Sequence, residues 1–268
     1  MKNKVVAVTG ASSGIGRAIA LEFASKGSKL LIAARNEKKL AEVAELIKAK
    51  GAEVITVRAD VSIEADCKRF IEMGISNYGQ LDILINNAGI SMRALFNETD
   101  LKVIKEVMNV NFWGMVYCTK FALPHLLKSK GSVVGVSSIA GFIGLPARTA
   151  YSASKFAMHG FLESLRTENL ANHLHVLIAS PGFTASSIRE NALMSDGSRQ
   201  EKSPLEEGKI MRAEEVAELL YNAIAKRKNR IVLSRDGKLV VFLNKWMPNL
   251  IRRIVYNRLK QEPNSPLK

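Results

Sequence analysis

Short apolar runs alternate along the chain with longer segments in which apolar residues recur every three or four positions. The runs are "KVVAVTG" (4–10), "KLLIAAR" (29–35), "EVITVRAD" (53–60), "LDILINNAG" (81–89), "GSVVGVSS" (131–138), "LHVLIAS" (174–180) and "RIVLS" (230–234). Continuous apolar character bounded by turn residues marks strands buried on both faces. The periodic segments predict helices over about 15–27, 36–51, a stretch ending near 78, 98–128, 149–172 and 213–226. Asn36 can cap the second of these and Gly51 can stop it, while Thr149 is expected to cap the helix at 149. Buried strands separated by helices imply an α/β fold: a doubly wound, mainly parallel seven-stranded sheet flanked by helices. Residues 1–236 are read as that domain, with a polar covering loop over about 183–212, and residues 237–268 as an extension. Ligands of such sheets bind at the C-terminal edge of the strands, so the informative residues should sit just after strands.

Composition narrows the class. The 268 residues suit one large α/β domain, and 47% hydrophobic with 24% charged residues excludes a disordered chain. No apolar run approaches the ~20 residues of a membrane span. The first strand pattern starts at once, with no secretory leader before it, and Cys67 and Cys118 lie in helix-like segments. Free thiols and a cytoplasmic chain are expected. The net charge of +14 invites a nucleic-acid reading. Its distribution weakens that reading, because residues 226–268 hold 12 Lys and Arg against 2 Asp and Glu. The other 225 residues hold 27 basic and 23 acidic side chains, so the body is near balance and no nucleic-acid partner is expected.

"TGASSGIG" follows the first strand and opens the first helix, with Gly10, Gly14 and Gly16 in the spacing G-x-x-x-G-x-G. Such a turn lets backbone N–H groups approach a pyrophosphate at a helix N-terminus, and Ser12 and Ser13 can add donors. The second strand ends in Ala34-Arg35, with no carboxylate at position 34 for a ribose 2′-hydroxyl. Arg35 can instead grip a 2′-phosphate, so NADP(H) is expected over NAD(H). Asp60 after the third strand can accept from an adenine amino group. "NNAG" (86–89), with Asn87, Ala88 and Gly89, follows the fourth strand and can tie loops together beside the cofactor.

Tyr151 and Lys155 are i and i+4 on one helix and share a face. A free phenol titrates near ~10, too high for acid–base work at neutrality. An ammonium ~4 Å away is worth ~4 kcal/mol at an effective dielectric near 20, or roughly three pKa units. The pair can therefore bring the phenol toward working pH. Ser138 ends the fifth strand, and Asn111 stands in "NVNFWG". The four histidines form no convincing ligand set, so no metal is expected.

These motifs, in this order over about 4–235, resemble the short-chain dehydrogenase/reductase family in its group with a T-G-x-x-x-G-x-G turn. The resemblance implies a Rossmann-like domain in which Tyr151 is the general acid in ketone reduction and the base in alcohol oxidation. It implies that Ser138 holds the substrate oxygen, that Lys155 lowers the tyrosine pKa and binds the ribose, and that Asn111 holds a water linking lysine to solvent. Ile15, Val61, Pro181 and Gly182 fall on the family's cofactor-binding positions. The family pattern has threonine five residues past the proline; here that position is Ser186, with Thr184 two residues earlier, and either can meet the nicotinamide carboxamide. Ser137 is read as packing beneath Ser138, and Ser152 and Ser154 as small residues for close packing. The expected reaction is NADPH-dependent reduction of a small-molecule carbonyl, or its reverse. The alternatives are a 3-oxoacyl-thioester reductase, against which the long tail argues, and a catalytically idle NADP(H)-binding interaction protein. Homodimers or homotetramers through the helices at 98–128 and 149–172 are implied as well.

In the tail, Leu250, Ile251, Ile254, Val255 and Leu259 fall within about half of a helix circumference, with Arg252, Arg253, Asn257 and Lys260 opposite and Arg258 intruding. Pro248 suits a helix start. Such a helix either packs on its own subunit or a partner, or touches an anionic membrane. A lipid-like substrate is a further expectation.

Overall fold

The computed structural model describes residues 1–182, 184, 188–200, 210–262 and 265–267. Seven strands, β1 (Val5–Thr9), β2 (Lys29–Ala34), β3 (Val54–Arg58), β4 (Ile83–Asn86), β5 (Ser132–Val136), β6 (His175–Ser180) and β7 (Arg230–Val232), make one parallel sheet in the order β3-β2-β1-β4-β5-β6-β7. Its helices are α1 (Gly14–Ser25), α2 (Glu37–Ala49), α3 (Glu64–Tyr78), α4 (Leu101–Met108), α5 (Gly114–Lys128), α6 (Thr149–Glu168) and α7 (Ala213–Ala225). Two more, α8 (Arg235–Trp246) and α9 (Pro248–Gln261), follow the last strand.

The sheet is apolar on both faces because both are covered. Val6, Val8, Leu30 and Ile32 pack with Ile19 and Phe23 of α1, Leu40 and Ile47 of α2 and Leu220 of α7. On the other face Val5, Ala7, Leu31 and Leu84 pack with Phe70 of α3, Met115 of α5 and Leu162 of α6. Neighbouring residues of β1 thus enter different cores, as strand geometry requires. Strand order reverses between β1 and β4, which pair Val6 with Ile83 and Ala7 with Leu84. The crevice beyond that switch point is where the site lies.

Three local features differ from the sequence reading. The helix expected over 98–128 is two helices separated by a π turn, Asn109–Trp113, which holds Asn111. Its extra residue per turn re-aims one side chain without changing the apolar period that made the segment look continuous. Thr149 does not cap α6: it is the first helical residue, and Arg148 takes the cap position without a side-chain cap bond. Finally, a helix starts as early as Arg235, because Ser234 Oγ accepts the Gly237 N–H at 3.1 Å. Asn36 does cap α2, its Oδ1 accepting from the Lys39 N–H at 2.9 Å.

Candidate active site

A cleft of about 910 Å³ runs along the C-terminal edge of the sheet, from the glycine turn to the segment around Arg199. At its near end Gly10 and Gly14 take φ of 66° and 52°, the left-handed region that favours glycine. Gly16 admits no side chain, since a Cβ there would lie 2.2 Å from the Gly10 carbonyl oxygen and 2.4 Å from Asn87 Nδ2. The turn is fastened to the strand next to β1. Thr9 Oγ1 accepts the N–H groups of Asn87 and Ala88 at 3.0 and 3.1 Å, and Asn87 Nδ2 donates to the carbonyls of Thr9 and Gly10. Ser12, Ser13, Ile15, Asn87, Ala88 and Gly89 line the cleft beside these glycines.

At the end of β2, Arg35 is 54% exposed on its side chain and borders the cleft with Asn36 and Lys39. Arg35 Nη1 stands 3.9 Å from Asp60 Oδ2. The other oxygen of Asp60 accepts from the Ser62 N–H and hydroxyl at 3.0 and 2.7 Å, which holds the carboxylate beside Val61 in the cleft wall.

The far half of the cleft holds Ser138, Tyr151 and Lys155. Ser138 follows β5 and accepts the Ala140 N–H at 3.2 Å, so its hydroxyl is aimed by its own turn. Its hydroxyl is close enough to act on the Tyr151 phenol. Burial pushes the Tyr151 phenol above its usual range, while the Ser138 hydroxyl and then the Arg148 guanidinium pull it back. The i, i+4 argument credits Lys155 with that pull. In the structure the lysine ammonium stands 5.6 Å from the phenol ring centroid and donates to the Val136 carbonyl at 3.0 Å. Burial holds Lys155 itself down to about 8. Arg148 is thus a further cation that acts on the phenol, a role not read from the sequence.

Asn111 is buried behind the cleft wall. Its Oδ1 accepts the Ile90 N–H at 2.8 Å, and its Nδ2 donates to the Ile90 carbonyl and to Ser154 Oγ, both at 2.9 Å. Ser154 in turn donates to the Tyr151 carbonyl at 2.7 Å, so it links the π turn to α6 rather than merely filling space. Ser152 likewise accepts the Leu145 N–H at 3.1 Å and anchors the loop that bears Leu145 and Arg148. Ser137 pairs with His159 Nε2 at 2.8 Å, and burial lowers His159 to about 4. That ring is a neutral structural partner at neutral pH.

Pro181, Gly182 and Thr184 reach the cleft, and Thr184 Oγ1 donates to the Gly182 carbonyl at 3.2 Å. Ser186 lies outside the described residues. Leu193 is fixed beside the site by paired main-chain bonds, accepting from Arg93 at 2.8 Å and donating to Ser91 at 2.9 Å. Leu193, Ile188 and Leu145 line the cleft, and Met194 does not. Sequence reasoning missed Lys39, Ser91, Arg148 and Arg189 as lining residues. Arg148 Nη1 donates to Ser91 Oγ at 3.0 Å. Its position three residues before Tyr151, one helical turn, was the available signal. Also missed was a buried ion pair at 3.0 Å between Arg93 and Glu262, which brings the end of α9 to the strand-like segment that holds Leu193. Among the described residues no group of three or more His, Cys, Asp or Glu could hold a metal ion.

Comparison with known proteins agrees with this geometry. The family model described as short chain dehydrogenase matches residues 4–196. An Arabidopsis thaliana protein named 11-beta-hydroxysteroid dehydrogenase-like 4A is 38% identical over 253 residues, covering 94% of this chain and 83% of that protein. An Arachis hypogaea protein named 11-beta-hydroxysteroid dehydrogenase A is 43% identical over 194 residues, covering 72% of this chain and 55% of its own length. A solved short chain dehydrogenase/reductase from Burkholderia phymatum, in complex with NAD, superposes with a TM-score of 0.81 at 28% identity, covering 93% of this chain and 95% of that one. An alcohol dehydrogenase from Thermococcus sibiricus shares the fold at a TM-score of 0.77 and 24% identity, with 87% and 96% of the two chains covered. The chain belongs to the short-chain dehydrogenase/reductase family. Its class is therefore that of oxidoreductases acting on hydroxyl and carbonyl groups.

Proposed function

We propose that the protein is an NADPH-dependent carbonyl reductase whose general acid is Tyr151, acting on a lipid-like ketone or, in reverse, the corresponding alcohol. The observation that carries this reading is that Ser138, Tyr151 and Lys155 line one cleft with a glycine turn too tight for any side chain at position 16. The residues present fit a nicotinamide dinucleotide. The α1 N-terminus offers backbone donors to a pyrophosphate, and Arg35 and Lys39 on the cleft border would suit a 2′-phosphate. When bound, the nicotinamide supplies or accepts the hydride.

The protein's own residues then handle the oxygen. Ser138 and Tyr151 present two hydroxyls to one cleft, where both are available to a single acceptor. A phenol held above its usual range keeps its proton at neutral pH, which suits it to donate to an oxygen gaining charge. Lys155, titrating near 8, is mostly cationic at neutrality and can hold a ribose hydroxyl. The apolar wall of Leu145, Ile188 and Leu193, and the steroid-dehydrogenase names of the relatives, support a large apolar substrate body. Exposed Trp113 and Phe156, beside α5 and on α6, support assembly with further copies through those helices.

The test is oxidation of NADPH and NADH across a panel of steroid and long-chain ketones, with Tyr151→Phe alongside. The expected result is faster turnover and tighter binding with NADPH, and at least ~100-fold loss of kcat in the variant with cofactor affinity retained. Activity that survives Tyr151→Phe, or tighter binding of NADH, rejects the corresponding half of the reading.

A further inference from the structure

The tail helices expose a surface that the catalytic reading does not use. On α8, Leu239, Phe242 and Trp246 recur at i, i+3 and i+7 and so form one stripe. Phe242 is 61% exposed and Trp246 75% exposed, the largest values among the exposed apolar side chains of α8 and α9. Met247 at the junction, then Leu250 and Ile254 one turn apart on α9, extend the exposed apolar set. Lys238, Lys245, Arg252, Arg253 and Lys260 stand exposed around it.

The arrangement is not a loose arm waiting to fold back on its own body. Ile251 and Leu259 of α9 are already buried, and the Glu262–Arg93 pair clamps the helix end, with both side chains at most 12% exposed. The apolar arc of α9 is thus divided: one edge packs on the protein and the other is left in water. A soluble chain rarely leaves so contiguous an apolar patch uncovered. A second copy is a poor occupant, since two such faces would bring their basic rims together. The 12 Lys and Arg against 2 Asp and Glu in residues 226–268 instead complement an anionic surface. No described helix is long and apolar enough to cross a membrane. Aromatic and aliphatic side chains in one stripe with cations at its rim suit insertion to the depth of lipid headgroups.

We infer that the α8–α9 hairpin is a docking surface for an anionic lipid bilayer. Trp246, Phe242 and Leu250 enter the interface, while Lys245 and Arg253 meet lipid phosphates. The docked face lies next to the substrate side. The groove under α9 is bounded by Gly144 and Pro146, and Leu145 between them lines the catalytic cleft. Docking stands or falls independently of the reaction assigned above.

The experiment is flotation of the full chain with vesicles of phosphatidylcholine alone or mixed equally with phosphatidylglycerol, at low and high salt. The variants are Phe242→Ala/Trp246→Ala and Lys245→Glu/Arg253→Glu, with thermal midpoint and light scattering recorded for each. Binding to the mixed vesicles, weakened by salt and by at least about tenfold in each double variant, is expected. In a Trp113→Phe background Trp246 is the remaining tryptophan, and its emission should shift to shorter wavelength on the mixed vesicles. This readout needs no destabilising change in the tail. Absence of both flotation and shift overturns the inference. So does equal binding to neutral vesicles, and so does a change of oligomeric state in the variants with flotation unaltered, which would make the face an interface between copies.

Discussion

Lys155 is buried, and its ammonium is held by a backbone carbonyl and a methionine sulfur. Moving its pKa from 10.5 to about 8 means that the fold disfavours the charged form. The shift corresponds to ~3 kcal/mol of strain at neutral pH, at ~1.4 kcal/mol per unit. Below about pH 8 folded and unfolded chains both carry the proton and the penalty is complete. Between about 8 and 10.5 the unfolded chain binds more protons, so stability rises with pH. Lys155→Met should therefore raise the melting temperature by a few degrees at pH 7, with a smaller gain near pH 10, while turnover collapses. Thermal melts at the two pH values check this, and a destabilised variant would contradict it. Ser138, Tyr151 and Lys155 were legible because each is placed by a strand end or by helical spacing. Arg148 was not, since its effect on the phenol depends on how the 139–148 loop closes over the cleft.

The glycine turn shows at the scale of an element why local sequence sufficed. Gly10, Gly14 and Gly16 are demanded by backbone geometry within seven residues, and the contact forbidding a Cβ at position 16 is chiefly to the same turn. Gly16→Ala should weaken cofactor binding at least tenfold and destabilise the fold by about 1–3 kcal/mol, because the atom it meets is backbone and cannot swing away. Fluorescence titration with NADPH and a urea unfolding curve measure both effects. The π turn at 109–113 was illegible for the opposite reason. One extra residue leaves the apolar spacing of α4 and α5 intact, and only the bonds from Asn111 to Ile90 and Ser154 reveal why the bulge sits there. Thr149 shows a related limit: its hydroxyl suits a cap, but α6 starts one residue earlier than that role allows.

Across the whole molecule a buried charge pair whose partners are 169 residues apart joins the tail to the domain. Glu262 also supports the Arg148 charge, while Arg93 and Arg189 oppose it. Glu262→Gln should leave that arginine group under-compensated and cost about 3 kcal/mol. A lowered urea midpoint and faster proteolysis near α9 would report it; an unchanged midpoint would mean that the pair carries no net stability. The sequence alone determined the parallel sheet, the order of the strands' ligand-bearing ends and the family chemistry, because buried runs, turn glycines and i, i+4 spacings are local instructions. Tertiary structure alone decided that Arg148 stands near Tyr151, where the Glu262 carboxylate goes, and which half of the α9 apolar arc stays in water. Those depend on what a distant stretch of chain brings alongside, and burial and Coulomb energy are properties of the neighbours rather than of the residue.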